Sequence, residues 1–317
     1  MNNNYIVGGG IAGLITAYYT GYKIIDKNPM GQLNLRFLPG VRLLKDDKYA
    51  KKFVEKLNKD VKIYDVLQTK EINIGYEDEV GNYVSMSEEF KRKYSQITRG
   101  RKEYESSFLS SGESSFNVIT ADQADPNFFY INLFTALYQL LIVRDQIIFD
   151  KVKMINVNMK TIDCEKTSTI QYDNLISTIR TDILETLISN WNGVYSNDYT
   201  ILKKHFYKAK YLAADEEYMN KYAYTYSISN IYTRKTFAPG YIVYETVKPL
   251  KEIQLKDEYI LGHKIIDKYE NVPLQLKKSL NLKSFNGIQL VGRFAEWNHS
   301  IKSNELIKFN IKNFSND

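Results

Sequence analysis

The fold is decided near the start of the chain, where residues 5–26 read YIVGGGIAGLITAYYTGYKIID. The first three of these residues, 5–7, predict a short apolar strand, and residues 11–20 carry apolar side chains at helical spacing. Residues 22–26 predict a second strand, which ends on an acid. A strand, a helix and a second strand within so short a stretch are typical of a dinucleotide-binding α/β fold.

Four glycines crowd the junction between the first strand and the helix, and three of them make the pattern G-x-G-x-x-G. Gly8 permits the tight turn, Gly10 lets the backbone approach a pyrophosphate, and Gly13 lets helix and strand pack closely. The helix N-terminus then offers N–H groups and the positive end of its dipole to the phosphates. Gly9 falls at a free position of the pattern, so we expect no necessary contact from it. The alternative interpretation is a glycine-rich turn in an ordinary α/β protein.

The acid at the end of the second strand completes the pattern. Asp26 stands 18 positions after Gly8, where a carboxylate accepts hydrogen bonds from the ribose hydroxyls of a dinucleotide. Because strand, glycine turn, helix and acid occur in the required order, the sequence predicts dinucleotide binding.

The composition of the 317 residues restricts the class of protein. Hydrophobic residues make up 44% and charged residues 25%, as in soluble globular chains, and no run approaches the roughly 20 apolar residues of a membrane span. We expect a cytoplasmic protein, because the start of the chain lacks the features of a signal peptide and Cys164 is the single cysteine. The three histidines are too scattered to predict a metal site, and the net charge of +6 suits an anionic substrate, a phosphate-bearing cofactor or nucleic acid.

Further along, α/β stretches alternate with strand-rich stretches. Helical patterns occur at 46–58, 87–105, 124–143, 181–190 and 303–314. Strand patterns occur at 61–85, 146–149, 151–157, 169–178 and 287–291, and a Tyr-rich stretch over 207–250 predicts an antiparallel sheet.

This order predicts an α/β protein with a discontinuous, Rossmann-like dinucleotide-binding domain and an inserted α+β domain that contains the antiparallel sheet. The dinucleotide-binding domain is assigned residues 1–45, 120–185 and 255–317. The inserted domain is assigned residues 46–119 and 186–254.

The N-terminal segment resembles flavoproteins of the amine-oxidase and UDP-galactopyranose mutase superfamily. The similarity lies in IVGGGIAGL at residues 6–14 and IIDKNPMGQ at residues 24–32, although Asp26 replaces the commoner glutamate and Gly31-Gln32 replaces a glycine pair. The resemblance implies a Rossmann-like FAD-binding domain, a substrate domain and FAD as the cofactor. The implied FAD-binding positions in this segment are Gly8, Gly10, Ile11, Ala12, Gly13, Asp26, Lys27 and Gln32.

Two later segments resemble the same superfamily. Residues 146–179 include Val152, whose backbone the resemblance places against the adenine, and end with YDNLISTI. Residues 286–301, NGIQLVGRFAEWNHSI, resemble the last FAD-binding stretch, which implies that Gly292 and Arg293 lie on the pyrophosphate and flavin side. The resemblance also places Trp297 and His299 near the flavin ring, whereas a core tryptophan and a surface histidine are the plain alternatives.

Residues 223–245 resemble the strands of the substrate domain in the same superfamily. The candidates there are Tyr232, Arg234 and Glu245, with the arginine projecting toward flavin and substrate. Arginine suits a phosphate because its planar fork binds two oxygens at once. The alternative for Arg234 is a solvated strand residue. The spacing from Arg234 to Glu245, and WNHSIKSNE in place of a run of tyrosines and acids, argue against mutase chemistry.

One stretch is strongly basic. Residues 91–102, KRKYSQITRGRK, hold six basic residues and no acid. The alternatives are a solvated loop, a docking surface for a small anionic substrate, or a contact with nucleic-acid phosphates.

These patterns predict an FAD-dependent oxidoreductase of amine-oxidase type. A hydride would pass to flavin N5 from a small substrate, with anionic and nucleotide-linked compounds among the options; no nucleophilic triad and no paired-carboxylate site is expected, because the cofactor carries the reaction. The resemblance implies Arg234, Trp297, His299 and Tyr232 on the substrate side. The alternatives are a mutase-like flavoenzyme acting on a nucleotide sugar, and a flavoenzyme that modifies nucleic acid or a modified nucleotide.

Overall fold

The computed structural model describes residues 3–29, 43–99, 114–122, 124–189, 201–238, 240–253, 258–276, 280–298 and 300–315, and a mixed α/β fold is confirmed. The strands in these segments are β1 (Asn4–Val7), β2 (Lys23–Ile25), β3 (Leu67–Glu77), β4 (Ser115–Ala121), β5 (Ile147–Ile148), β6 (Val152–Asn156), β7 (Thr161–Cys164), β8 (Ile170–Gln171), β9 (Asn174–Ser177), β10 (Ile201–Lys210), β11 (Tyr224–Ser227), β12 (Arg234–Ala238), β13 (Tyr241–Thr246), β14 (Tyr259–Ile260), β15 (His263–Leu276), β16 (Ser284–Phe285) and β17 (Ile288–Leu290). The helices are α1 (Ile11–Thr20), α2 (Lys48–Val61), α3 (Glu88–Arg99), α4 (Pro126–Val143), α5 (Thr181–Leu187), α6 (Glu216–Lys221) and α7 (Ser303–Phe314).

One sheet is almost wholly parallel and contains the strand that leads into the glycine turn. Its strand order is β16–β17–β9–β1–β2–β5. β1 pairs in parallel with β2 on one side and with β9 on the other, whereas β16 and β17 run antiparallel. A sheet of this kind binds its ligand beyond the carboxyl ends of the strands, at the point where the strand order reverses. That point lies beside the glycine turn, directly after β1.

Side chains of the parallel sheet alternate between two cores. Ile6 and Ile24 pack with α1, α2, α4 and α7 on one face. Val7 and Ile25 pack on the other face with Val152 and the small antiparallel sheet β6–β7–β8. Because successive residues of a strand point to opposite faces, this alternation builds a unit of three layers.

Helix α4 is the longest of the described helices, and its 18 residues are apolar enough, by length and composition alone, to cross a membrane. In this fold, Phe129 and Leu133 are fully buried in the core that α4 shares with α1 and α2. Asp125 caps the start of α4 by accepting hydrogen bonds from the N–H groups of Asn127 and Phe128. The burial of its apolar side chains identifies α4 as a core helix.

The larger sheet has the strand order β14–β15–β10–β13–β12–β11–β3–β4. Its strands pair antiparallel, except for β3 and β11, which run parallel. The antiparallel sheet predicted over residues 207–250 is present as β10 to β13, and further strands extend it on both sides. Helix α3 covers part of one face, where Tyr94 packs with Tyr76, Tyr224 and Tyr226.

Three strands of the larger sheet, β4, β14 and β15, were not predicted from the sequence. In β15, Ile266 stands at an exposed position and Asp267 at a half-buried one, so the alternation of apolar and polar residues is obscured. β15 nevertheless pairs along most of β10, with three register shifts. Pairing with a distant strand therefore decides the conformation where the local pattern is ambiguous.

Three elements lie on the other side of the predicted domain boundaries. Helix α2 falls in the segment 46–119, yet Phe53 and Leu57 are fully buried in the core with α1, α4 and α7. Strands β14 and β15 fall in the segment 255–317, yet they belong to the larger sheet. An amphipathic helix or strand shows that it needs an apolar partner surface, but only packing decides which surface that is.

Replacing Phe134 by alanine tests the helical core. The Phe134 ring is fully buried and lies 6.0 Å from the Phe53 ring and 4.7 Å from the Tyr130 ring, centroid to centroid. We expect Phe134→Ala to lower the free energy of unfolding by about 3–5 kcal/mol, because a cavity replaces the ring. Phe128→Ala is the matched control on α4, since Phe128 is 39% exposed. Equal losses for the two variants in chemical denaturation would contradict this packing.

Candidate functional site

The turn after β1 is shaped by two glycines that touch each other across it. Gly8 has a φ of +109°, and a Cβ there would lie 2.6 Å from the hydroxyl oxygen of Thr178. A Cβ on Gly13 would overlap the carbonyl oxygen of Gly8. Only glycine at both positions allows α1 to pack this closely against the end of β1.

Gly10 is not required by packing. It is the N-cap residue of α1 and supplies no capping side chain, and an added Cβ would meet no described atom within 4 Å. The N–H groups of a first helical turn have no partner within their own helix, and the helix dipole is positive at this end. The start of α1 is therefore a favourable position for an anion.

Gly9, from which the sequence predicted no necessary contact, is needed for a different reason. A Cβ there would lie 2.9 Å from Cα of Pro29 and 3.1 Å from Cβ of Asp26. The Gly9 N–H donates to Oδ2 of Asp26 at 2.6 Å, and the Asn28 N–H donates to Oδ1 at 2.7 Å. Asp26 therefore ties the glycine turn to the loop after β2. A carboxylate oxygen accepts more than one hydrogen bond, so both oxygens still suit ribose hydroxyls.

Thr178 is a residue of this turn that the sequence analysis quoted within YDNLISTI but did not single out. Its N–H donates to the carbonyl of Val7 at 2.9 Å, and its hydroxyl donates to the carbonyl of Gly8 at 2.8 Å. Thr178 thus extends the ladder between β1 and β9 into the glycine turn. The sequence signal that could have indicated this role is a hydroxyl residue directly after a predicted parallel strand.

Asp150 fixes the backbone near Val152, and the sequence analysis did not single it out either. Its carboxylate accepts hydrogen bonds from the N–H groups of Glu165, Lys166 and Thr167 and from the Thr167 hydroxyl. These hydrogen bonds, led by that of the Thr167 side chain, hold the pKa of Asp150 well below its usual range. Asp150 thereby orders the chain just before Val152.

The last segment reaches the first turn of α1. Gly292 has a φ of +106°, and a Cβ there would lie 2.8 Å from Cβ of Ala12. Its N–H donates to Oε1 of Glu296 at 3.0 Å, and Nε of Arg293 donates to the carbonyl of Ile301 at 3.1 Å. The structure therefore brings Gly292 and Arg293 next to the glycine turn.

The positions of the other residues predicted near the cofactor do not by themselves indicate a role. Trp297 is fully buried with a φ of +48°, and its carbonyl accepts a hydrogen bond from the Leu280 N–H at 2.7 Å. Lys27 is exposed, and Ile11 is half-buried in the first turn of α1. Gln32 and His299 lie outside the described residues. Their predicted contacts with a flavin cofactor stay predictions.

On the larger sheet, Arg234 lies in a row of charged and aromatic side chains. Arg234 on β12 is directly opposite Tyr226 on one side and Glu245 on the other, so the three share a face. The Arg234 guanidinium forms an ion pair with Glu245, and Nζ of Lys204 lies 3.4 Å from the other carboxylate oxygen. Lys204 was not among the predicted residues.

Glu245 is held in its ionised form by its two basic neighbours. Burial raises the pKa of Glu245, but the charges of Arg234 and Lys204 outweigh it and hold that pKa below its usual value. Lys204 and Glu245 are almost fully buried, so the interaction between these groups is only weakly screened by solvent.

Tyr232 is not brought together with Arg234. Its hydroxyl donates to Glu77, and its ring lies 5.8 Å from Nζ of Lys235 and 5.2 Å from the Tyr244 ring. Neighbouring residues of a strand face opposite ways, so Lys235 and Arg234 lie on different faces. Tyr232 and Arg234 therefore lie on opposite faces of the larger sheet. The sequence analysis had assigned both residues to the substrate side.

One residue on the face that carries Arg234 and Glu245 lies near the start of α4. Tyr241 and Glu245 lie on the same face of β13, since they are four residues apart in one strand. Burial and, after it, the charge of Asp125 raise the pKa of Tyr241. Asp125 caps α4, so Tyr241 lies close to the start of that helix.

The basic stretch 91–102 lies partly on α3, and residues 100–102 fall outside the described residues. Nζ of Lys91 pairs with Glu88 at 2.5 Å, and Nζ of Lys93 pairs with Glu79 at 2.6 Å. Tyr94 is buried beneath them. The described part of the stretch is thus one amphipathic helix whose lysines pair with acids.

Two further observations bear on chemistry. Cys164 is buried, and burial raises the pKa of its thiol to about 11, so it is unreactive at neutral pH. Within the described segments, no group of three or more histidine, cysteine, aspartate or glutamate residues is arranged to hold a metal ion.

Comparison with known proteins supports the predicted fold. No protein-family model and no curated protein sequence matches the chain. Among solved structures, reduced UDP-galactopyranose mutase matches with a TM-score of 0.65 and 12% identity, over 98% of this chain and 94% of the mutase. A fatty acid isomerase from P. acnes matches with a TM-score of 0.63 and 9% identity, over 99% and 98%. Putrescine oxidase bound to putrescine matches with a TM-score of 0.59 and 9% identity, over 98% and 97%.

The chain therefore shares its fold with UDP-galactopyranose mutase and putrescine oxidase, and the resemblance inferred from its sequence is confirmed at the level of fold. The glycine turn, Asp26, Val152 and Gly292 lie around the carboxyl ends of the central strands of that fold.

Two glycine substitutions separate packing from ligand approach. We expect Gly13→Ala to lower the free energy of unfolding by about 1–3 kcal/mol, because the added methyl group overlaps the Gly8 carbonyl and helix and strand must separate. Gly10→Ala leaves the stability unchanged, since its backbone angles suit alanine and its Cβ meets no described atom within 4 Å. Thermal or chemical denaturation of both variants measures this; a Gly10→Ala protein as unstable as Gly13→Ala would contradict it.

Proposed function

We propose that this chain is an FAD-dependent oxidoreductase. The observation that carries the proposal is the glycine turn: Gly8 and Gly13 are required by packing, whereas no described atom lies close enough to Gly10 to require a glycine there. A position kept free of a side chain at the start of a helix, in a fold shared with UDP-galactopyranose mutase over 98% of the chain, fits a bound pyrophosphate.

The residues around this turn fit FAD along its length. Gly10 and the first turn of α1 would hold the pyrophosphate, Asp26 the ribose hydroxyls, Val152 the adenine, and Gly292 with Arg293 the side nearer the flavin. Asp150 and Thr178 fix the backbone around these positions through their hydrogen bonds to it. When bound, FAD supplies a flavin ring that accepts a hydride at N5.

The substrate side is proposed to be the face of the larger sheet that carries Arg234. The Arg234 guanidinium, held by Glu245, would attract and orient an anionic part of the substrate, such as a carboxylate or a phosphate, because its planar fork binds two oxygens at once. Glu245 holds the guanidinium in place. Burial raises the pKa of Tyr224 and Tyr226, so both hydroxyls stay protonated and serve as hydrogen-bond donors. We infer a small anionic or nucleotide-linked substrate.

The absorption spectrum of the purified protein tests the cofactor. We expect a yellow protein with the visible bands of oxidised flavin, and FAD released on denaturation. Gly10→Ala should fold normally but lose most of the bound FAD, because a methyl group meets the phosphate. A colourless wild-type protein that cannot be reconstituted with FAD would overturn the proposal.

A second candidate function is a mutase-like reaction on a nucleotide sugar. It is favoured by the match to UDP-galactopyranose mutase along almost the whole of both chains, and by an arginine suited to a pyrophosphate. UDP-galactopyranose offered to the dithionite-reduced and to the oxidised protein separates the two functions. The oxidoreductase proposal expects no turnover in either state. Turnover by the reduced protein alone would establish the mutase.

Action on nucleic acid remains the weakest of the predicted functions. It depends on the stretch 91–102, where the described lysines Lys91 and Lys93 pair with acids and so offer little charge to phosphates.

A further inference from the structure

The outer edge of the larger sheet is formed by β15. One side of β15 pairs with β10 from Ile265 to Leu276. The other side pairs with the two residues of β14 at the start of β15, and the Ile265 N–H then donates to the carbonyl of Glu258 at 2.8 Å. Beyond Ile265, no strand among the described segments pairs with this side. The free edge of a strand presents N–H and C=O groups to which another strand can add.

Several features limit which strand can add to this edge. The pairing of β15 with β10 is regular over residues 267–269 and shifts register on both sides of that run. Pro273 has no N–H to donate, and the exposed Lys268 lies within the regular run. Register shifts, proline and lysine on an edge strand are means by which sheets avoid indiscriminate pairing. A partner strand must therefore fit residues 266–272, which we call the edge window.

Two charged residues of the edge window share one face of the sheet. Lys268 stands directly opposite Tyr207 of β10, and the Tyr207 hydroxyl donates to Oε1 of Glu270 at 2.6 Å. Lys268 and Glu270 are both exposed. The edge window therefore presents a positive and a negative charge, two residues apart on the same face.

This order of charges is complementary to itself. If two copies of β15 pair antiparallel with Tyr269 opposite Tyr269, each Lys268 stands opposite Glu270 of the second copy. Asp267, on the other face, then stands opposite Asn271, which carries no charge. Unlike charges at directly opposed positions stabilise a pair of strands, whereas like charges destabilise it.

Other arrangements of the same two strands are disfavoured. A shift of register by two residues sets Lys268 against Lys268 or Glu270 against Glu270, and a parallel arrangement in register does both. The charges of the edge window thus favour one partner, a second copy of the chain, in one register.

Exposed apolar side chains lie beside the edge window. Ile266, at its first position, is 50% exposed, and Tyr259 and Leu261 are exposed in β14 and in the turn that follows it. Apolar side chains that are exposed next to one another favour contact with a protein partner.

We propose that the outer edge of β15 is an interface between two copies of this chain, paired antiparallel about Tyr269 and held in register by two Lys268–Glu270 pairs. The inference does not depend on the proposed FAD function, since it concerns another surface of the molecule. Because the paired segment is short, we expect a dimer that dissociates on dilution, and not a permanent one.

Sedimentation velocity of the full chain from about 1 to 200 µM, at low ionic strength, tests the interface. We expect the wild type to change from monomer to dimer over this range. Lys268→Glu should dimerise at least about tenfold more weakly, because both opposed pairs then join like charges. Lys264→Glu makes the same charge change at an exposed position outside the edge window, so this matched control should dimerise as the wild type does.

Charge reversal supplies a second measurement. Glu270→Lys should also lose the dimer, whereas the double variant Lys268→Glu/Glu270→Lys again sets unlike charges opposite each other and should regain it. An equimolar mixture of the two single variants should form a heterodimer for the same reason, and its formation shows that each variant is folded.

Three results would overturn the inference. The first is a wild type that stays monomeric over the whole range of concentration. The second is a wild-type dimer that Lys268→Glu leaves intact, since the interface then lies elsewhere. The third is a double variant and a mixture that both stay monomeric although circular dichroism shows the wild-type fold.

Discussion

The close approach of α1 to the end of β1 is the contact on which the rest of the structure depends. Because Gly13 has no side chain, the helix backbone rests against the carbonyl of Gly8. The hydroxyl of Thr178, directly after β9, donates a hydrogen bond to the same carbonyl. This contact aims the start of α1 at the carboxyl ends of the central strands. It also sets where Gly292 can meet Ala12, and so where the last segment and α7 lie. One steric requirement thereby positions all the segments proposed to surround FAD.

The charged groups of the larger sheet form a second fixed arrangement. Arg234 and Lys204 both contact the carboxylate of Glu245, and Lys204 and Glu245 are almost fully buried. Charges taken out of water are costly unless they are paired, so each of these groups depends on the others for its place in the fold.

Much of the fold was predictable because its signals are local. The unit over residues 5–26, helix α4 and the strands around β12 follow from apolar spacing and turn residues that neighbours in sequence supply. The predictions that the structure does not bear out share a different cause. β15 has an alternation obscured by Ile266 and Asp267, α2 shows an apolar face without showing its partner, and Tyr232 lies two residues before Arg234 yet packs on the opposite face. Each depends on contacts between residues far apart in the sequence.

The sequence by itself determined the glycine turn and the class of fold, because Gly8, Gly10, Gly13 and Asp26 act within one short unit whose geometry is nearly independent of the rest. Only the tertiary structure decided which residues accompany them. It showed that Gly9 is required by Pro29 and that Lys204 shares Glu245 with Arg234. Charge and burial act through space, so a lysine that lies far from its neighbours in the sequence meets them only when the chain is folded.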